Sequence, residues 1–567
     1  MTATAKARWM TPSVNKSRYE KRVSTTNKSR RKPLYQAVFT TPPDRRRART
    51  AVWNCINLGK NIDPPYNTGS DFVYADDFAD PLARYKEVTS QTTKSNPETM
   101  GRYHTNWLNM IYPRLRLAAN LLRDDGVCFI SIDDNEIDNL KKVCNEVFGE
   151  ENFVAQIIWQ KKYAVSNDDP GIAPMHDYIL VYQKSGDFER NLLPRTEKQL
   201  QRYNNLDNDP RGDWSSDNYI SNKSRWERPT LWYPIKHPKT GFDVWPDENA
   251  VWRYSKEKHE QIAAENRLYW GPGLSYDRPR IKRFLSEIQD GVVPSTWWPF
   301  TEVGHNDEAV KETATLMGKK VFSTPKPIRL LRQVLILATA PKNEDIVLDF
   351  FAGSGATAHA VMQLNKEDGG NRKFIMVQLP ELCDVNSEAY KAGYKNICEI
   401  GEERIRRAGK KLTETDGQMT IADDKTPLDT GLRVFKLDTS NLVAWDATPI
   451  DDENLQTLWD RFDALAETIK PDRSDMDIVF EVMLKMGVPL DFAVHEIAVG
   501  SKKAYSVGDN CLLLVCLDPG ITPEDIEAMC DLVPAKIIAA EADFGDDTAL
   551  SNAHYILRDK DIEMKLL

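Results

Sequence analysis

Leu348-Asp-Phe-Phe-Ala-Gly-Ser-Gly-Ala-Thr357 opens as a short apolar run and breaks at a turn with glycines at 353 and 355. A helix pattern follows. Strand, turn and helix in that order belong at the carboxyl edge of an open α/β sheet, where glycines let the backbone come close to a ligand. The turn is not the dinucleotide fingerprint, because Gly353-Ser-Gly355 is followed by Ala356-Thr357-Ala358 without the third glycine, and this disfavours NAD. It also lacks the Gly-Lys-Ser/Thr ending of a phosphate loop. Asp349, Phe351, Gly353, Ser354 and Gly355 are therefore candidate cofactor contacts. Glu381, at the end of the next expected strand, Lys373–Leu379, is placed to hold ribose hydroxyls, although it lies further along the chain than the usual ~20 residues. The competing reading is an ordinary strand-to-helix turn.

The same alternation extends outward. The spacing predicts a helix over Pro327–Thr339 before the strand and another over Thr357–Leu364 after it. Nearer the N-terminus, Trp107, Leu108, Ile111, Leu115, Leu121 and Leu122 recur at helical spacing, and Gly126-Val-Cys-Phe-Ile-Ser-Ile132 reads as a buried strand. A helix over 135–148 and strands over 153–159 and 178–183 complete an α/β pattern. Residues 186–310 interrupt it with many turn residues and eight of the 14 tryptophans. We divide the chain into 1–61, 62–185, 186–310, 311–412, a polar linker 413–428, and 429–567, with an α+β pattern in the last part.

A composition of 41% apolar and 28% charged residues over 567 positions is that of a soluble globular protein of several domains. The best apolar run, Cys511–Leu517, is far too short to span a membrane, and no secretory signal precedes the first element. The eight cysteines form no CxxC pair, so neither a metal site nor a disulfide framework is expected, and a reducing cytoplasm fits best. The net charge of −10 disfavours nucleic acid on average but is unevenly spread. Residues 1–60 carry 15 Lys and Arg against Glu20 and Asp44, whereas 441–567 carry 26 acids against 10 bases. A basic first segment can meet phosphates, and an acidic last one suits a protein partner.

A second motif, Asp63-Pro64-Pro65-Tyr66, combines an acceptor carboxylate, a stiff Pro-Pro backbone and an aromatic face. Two prolines fix φ and aim the carbonyl between them. Asp63 and the Pro64 carbonyl can accept both hydrogens of an exocyclic amine while Tyr66 stacks on the ring that bears it. The nitrogen lone pair is then available to an electrophilic methyl group. As a bare four-residue pattern it also reads as a surface turn.

Together the two motifs resemble the S-adenosylmethionine-dependent amino-methyltransferases. Asp63–Phe78, Ser323-Thr-Pro-Lys-Pro327, Leu348–Gln363, Asn371–Glu381 and Ser387–Cys398 are similar to the modification subunit of type III restriction-modification systems, a β-class DNA adenine N6-methyltransferase. The resemblance implies a Rossmann-like sheet in permuted order, with the catalytic motif before the cofactor motif and a target-recognition domain, here 186–310, between them. It makes Asp63, Pro64, Pro65 and Tyr66 the catalytic set around a flipped adenine. It assigns the 351–355 turn, Glu381 and Lys326 to the S-adenosylmethionine pocket. It further implies double-stranded DNA as substrate, a helicase-nuclease restriction subunit as partner, and a homodimer. His176 falls in the family's segment near the target base.

One departure bears on activity. In Trp53-Asn-Cys-Ile-Asn-Leu-Gly-Lys-Asn61 polar residues interrupt the apolar strand that should support the catalytic loop, so the loop is expected to lack that strand and the chain to be impaired. The rival readings are an inactive DNA-recognition and assembly subunit, a cytosine N4-methyltransferase and, most distantly, a dinucleotide oxidoreductase.

Overall fold

The computed structural model describes residues 59–67, 104–165, 171–414, 428–443 and 469–567. The basic segment 1–58 and most of the 413–428 linker lie outside them.

The central sheet runs β1 (Gly59–Ile62), β2 (Val127–Ile132), β4 (His176–Gln183), β3 (Phe153–Gln160) and β5 (Trp297–Trp298). β1 pairs parallel with β2, β4 runs antiparallel to both β2 and β3, and β5 is parallel to β3. A second parallel pair, β6 (Ile346–Asp349) with β7 (Lys373–Met376), lies beside β1. Every residue of β2 is buried, because helices cover both faces. Trp107, Ile111 and Leu115 of α1 (Thr105–Leu121) and Leu140 and Cys144 of α2 (Ile137–Phe148) cover one face. Leu330, Val334 and Leu337 of α4 (Ile328–Ala338) cover the other, after α3 (Asn306–Met317).

The supporting strand expected to be missing is present. Gly59–Ile62 pairs in register with Val127–Ile130. Ladder hydrogen bonds come from the backbone, which Asn61 and Lys60 carry as well as valine would; the apolar pattern only reports burial.

Residues between β4 and β5 build a small irregular body. Its three-stranded antiparallel sheet joins Leu268–Tyr269, Arg280–Phe284 and Trp214–Asn218 over a core of Tyr219, Tyr233, Trp252, Ile262, Trp270 and Ile281. The chain rejoins the main sheet at Trp297, ahead of the boundary drawn at 310. The tryptophans divide: Trp214, Trp252, Trp270 and Trp298 are core, whereas Trp226, Trp245 and Trp297 are exposed.

Beyond α5 (Ala356–Asp368) and α6 (Ile397–Glu414), the last part has its own sheet. Its order is β8 (Val494–Val499), β9 (Lys502–Val507), β10 (Leu513–Cys516), β11 (Lys536–Ala539) and β12 (Glu563–Leu566). The first three are antiparallel and the last two continue parallel through α8 (Pro523–Cys530) and α9 (Asp547–Asp559). α7 (Asp475–Met486) packs on the opposite face through Ile478, Val482 and Met483. Among the described residues no helix is long and apolar enough to cross a membrane.

Candidate active site

Asp63 follows β1 directly and Asp349 closes β6, β1 and β6 lie side by side, and Tyr66 packs in one cluster with Leu348, Phe350 and Phe351, so the carboxyl ends of neighbouring strands meet. Topology thus brings together two motifs separated by some 280 residues of chain.

The 63–67 loop is held from below. The Trp107 indole N–H, on buried α1, donates to the Pro65 carbonyl at 2.7 Å. Asn67, at φ 60° in the left-handed region, donates its amide to Glu136 at 2.7 Å. Glu136 is fully buried, and the same oxygen lies 2.6 Å from His104 Nδ1 while its other oxygen accepts from Asn139. These anchors leave the Asp63 carboxylate and the Tyr66 ring half-buried at the site. Tyr66 donates its hydroxyl to Asp63 Oδ1 at 2.8 Å. Lys326 reaches both, 2.8 Å from Asp63 Oδ1 and 2.9 Å from the Tyr66 hydroxyl. The structure therefore brings Lys326 to the Asp63–Tyr66 loop.

The glycine turn is built by close backbone approach. Gly353 and Gly355 have φ of 49° and 72°, which only glycine adopts at little cost. A Cβ on Gly355 would sit 3.0 Å from the Gly401 carbonyl of α6, and one on Gly401 would sit 3.2 Å from the Gly353 carbonyl. Turn and helix are thus in backbone contact, and both glycines are required. Toward the open side, a Cβ on Gly353 would meet only the Phe322 ring, at 3.4 Å, and its own turn's Phe351 carbonyl, at 3.8 Å. The Gly353 N–H donates to Gln378 at 2.8 Å. Phe351 is half-buried and packs on Phe350 at 5.2 Å between ring centroids.

Three of the expected pocket residues also have partners within the protein. Asp349 is buried and accepts from Thr357 at 2.6 Å and from the Phe351 N–H at 3.1 Å. Burial pushes its carboxyl up to about 7, helped by Asp63 and opposed by those hydrogen bonds and Lys326. Its visible work is to shape the turn. Ser354 is also buried, and its hydroxyl accepts from Arg404 at 2.6 Å, so it ties the turn to α6. Glu381 lies five residues beyond the end of β7, because the expected strand stops at Met376 and Gln378 swings to the glycine turn. The Glu381 side chain is half-buried, and its carbonyl accepts from Ile397 at the start of α6.

The family model for DNA methylases matches residues 60–408. The EcoP15I Mod subunit of Escherichia coli, a type III restriction-modification enzyme, is 30% identical over 556 residues, 85% of this chain and 77% of that one. The chain belongs to the DNA methylase family and, within it, to the type III modification subunits. The StyLTI Mod subunit of Salmonella typhimurium is 37% identical over 62% of this methylase and 53% of its own length. For the EcoPI Mod subunit of Escherichia phage P1 the figures are 32%, 62% and 59%. The chain thus spans little more than half of these two relatives.

Several residues of this DNA methylase's site were not singled out from sequence. Trp107 was read only as part of an apolar stripe, and nothing in that stripe marks its N–H as a loop anchor. Glu136 and Gln378 carry no motif. Arg404 belongs to no motif either, yet it is fully buried. Asp177, beside His176, is buried and paired with Lys161 at 2.5 Å. His176 itself packs edge-on to Tyr178 at 4.9 Å. In the 186–310 region, several basic residues are paired with carboxylates. Lys282 is 2% exposed and bonds Asp207, Arg278 pairs with Asp247, and Arg253 with Asp217. Arg228, Lys236, Lys239 and Lys256 remain exposed.

Proposed function

We propose that this chain is a site-specific DNA adenine N6-methyltransferase acting as the modification subunit of a type III restriction-modification system. The observation that carries it is the meeting of the Asp63-Pro-Pro-Tyr66 loop with the Gly353–Gly355 turn at adjoining strand ends. S-adenosylmethionine, when bound, supplies a methyl group made electrophilic by its sulfonium. The turn suits such a cofactor, since left-handed Gly353 bares backbone that a side chain would cover, while Gly355 seats the turn against α6. Phe351, Gly353, Gly355, Gln378 and Glu381 would hold it.

The chain's own residues handle the base. Asp63 and the Pro64 carbonyl accept the two amine hydrogens, which localises the nitrogen lone pair, and Tyr66 stacks on the adenine ring. Extruding that base from the duplex costs a few kcal/mol of unstacking, which the Tyr66 contact offsets in part. The Phe351–Gly355 turn would hold the group that supplies this methyl, which would leave as a neutral thioether. The methylated nitrogen then sheds one proton, for which the Asp63 carboxylate is the adjacent acceptor. The 186–310 body, with exposed Trp226, Arg228, Lys236 and Lys239, would supply target recognition. The acidic last part would contact protein, either a second copy or the restriction subunit, since its charge repels DNA. Aspartate at position 63, where cytosine enzymes more often carry serine, favours adenine.

Single-molecule sequencing of DNA from cells carrying the chain should show N6-methyladenine in one short asymmetric motif. Asp63→Ala should erase that signal. Methylcytosine instead, or no mark in either strain, would refute the assignment.

A further inference from the structure

Lys326 lies in Ser323-Thr-Pro-Lys-Pro327, between two prolines that restrict the backbone just ahead of α4. Its side chain is only 12% exposed. The ammonium lies 5.0 Å from the centroid of the Tyr66 ring and 5.5 Å from that of the Trp159 ring. Trp159 is itself fixed, being buried and donating to the Gly304 carbonyl at 3.0 Å. Lysine, tyrosine and aspartate close a triangle in which Tyr66 gives its only hydroxyl proton to Asp63 and Lys326 bonds both. Both bonds to the carboxylate fall on Oδ1, which leaves Oδ2 as the oxygen for an incoming amine. Two more buried carboxyls, Asp177 on β4 and Asp349 on β6, face the same ammonium and are partly stabilised in ionised form by it. One side chain from the cofactor half therefore organises charges contributed by three strands.

We propose that Lys326 is a positioning residue for the transfer step: bonded to Asp63 Oδ1 and the Tyr66 hydroxyl, it sets the carboxylate that receives the target amine, and it governs turnover rather than affinity for S-adenosylmethionine. This rests on the methyltransferase reading above. A long flexible side chain carrying two short polar contacts and a ring contact has little freedom left to serve a ligand elsewhere. Its loss would let both Asp63 and Tyr66 rotate, which misaligns the acceptor without touching the glycine turn.

The test uses the full chain, labelled S-adenosylmethionine and unmethylated bacterial genomic DNA, with cofactor affinity measured separately by calorimetry. Lys326→Met, which keeps the stem and removes the charge, should lower kcat at least ten-fold while the Kd for S-adenosylmethionine stays within two-fold. Lys326→Arg, able to make both bonds, should recover at least a third of the wild-type rate with the same Kd. A kcat within two-fold of wild type in Lys326→Met overturns the inference, as does a Kd that rises in step with the fall in rate. Should Lys326→Met fail to fold, Lys326→Arg decides alone, since weakened cofactor binding at an unchanged rate also refutes the proposal. A wild-type chain that methylates no DNA removes the function itself, whereas an active wild type with an indifferent variant removes only the role of Lys326.

Discussion

Replacing Asp349 with asparagine tests whether the end of β6 carries a neutral acid. The carboxyl is buried, and burial raises it from the ordinary 3.8 to about 7. Between these values the folded chain holds a proton that the unfolded chain has released, so stability falls as pH rises. The stabilisation is fully present below about pH 4 and is lost by the time pH passes about 7. Each pH unit in that window is worth about 1.4 kcal/mol, so the span from pH 5 to pH 7 removes roughly 2–3 kcal/mol through this one group. Asparagine does not titrate. Its amide keeps one acceptor oxygen and loses the other, so one of the two bonds, from Thr357 or from the Phe351 N–H, is given up, a constant offset of about 1–2 kcal/mol. The stability of Asp349→Asn minus that of wild type should therefore climb by roughly 2–3 kcal/mol between pH 5 and pH 7 and flatten above pH 7.5. Taking the difference cancels every other titrating group. Urea unfolding followed by tryptophan fluorescence reads it, because Trp107 and Trp159 lie in the cores on either side of that sheet. A difference that stays constant from pH 5 to pH 8, or that falls, would show an ordinary ionised aspartate and refute the argument.

Two further outcomes probe the supports of the site. Gly401→Ala places a Cβ 3.2 Å from the Gly353 carbonyl, so the turn must shift; calorimetry should show at least five-fold weaker S-adenosylmethionine binding, and unchanged binding would mean that the turn does not hold the cofactor. Trp107→Phe keeps an aromatic ring but removes the 2.7 Å bond to the Pro65 carbonyl, at a cost of about 1–2 kcal/mol, to which the lost indole volume adds in this buried position. Steady-state kinetics should then show a several-fold lower kcat with the cofactor Kd unchanged, and a change confined to the Kd would contradict the anchoring role.

Both chemical motifs were legible because each is local. Pro64-Pro65 and Gly353-Ser-Gly355 constrain their own backbones wherever they occur, and the helix and strand periods around them are short-range signals. Reading failed where side-chain pattern stood in for backbone pairing. Polar Lys60 and Asn61 hid a strand that the β2 ladder makes, and Val377–Leu379 looked like strand although Gln378 turns away to the glycine loop.

By itself the sequence determined the alternating α/β class, the order of the catalytic and cofactor motifs, and the uneven charge along the chain. Only the tertiary structure decided who stands behind the motifs. Trp107, Glu136, Gly401 and Arg404 act on loops far from them in sequence, and Lys326 bonds Asp63 and Tyr66 across some 260 residues of chain. The physical reason is that a hydrogen bond or a backbone contact depends on distance in space, which sheet order sets. No spacing along the chain records it.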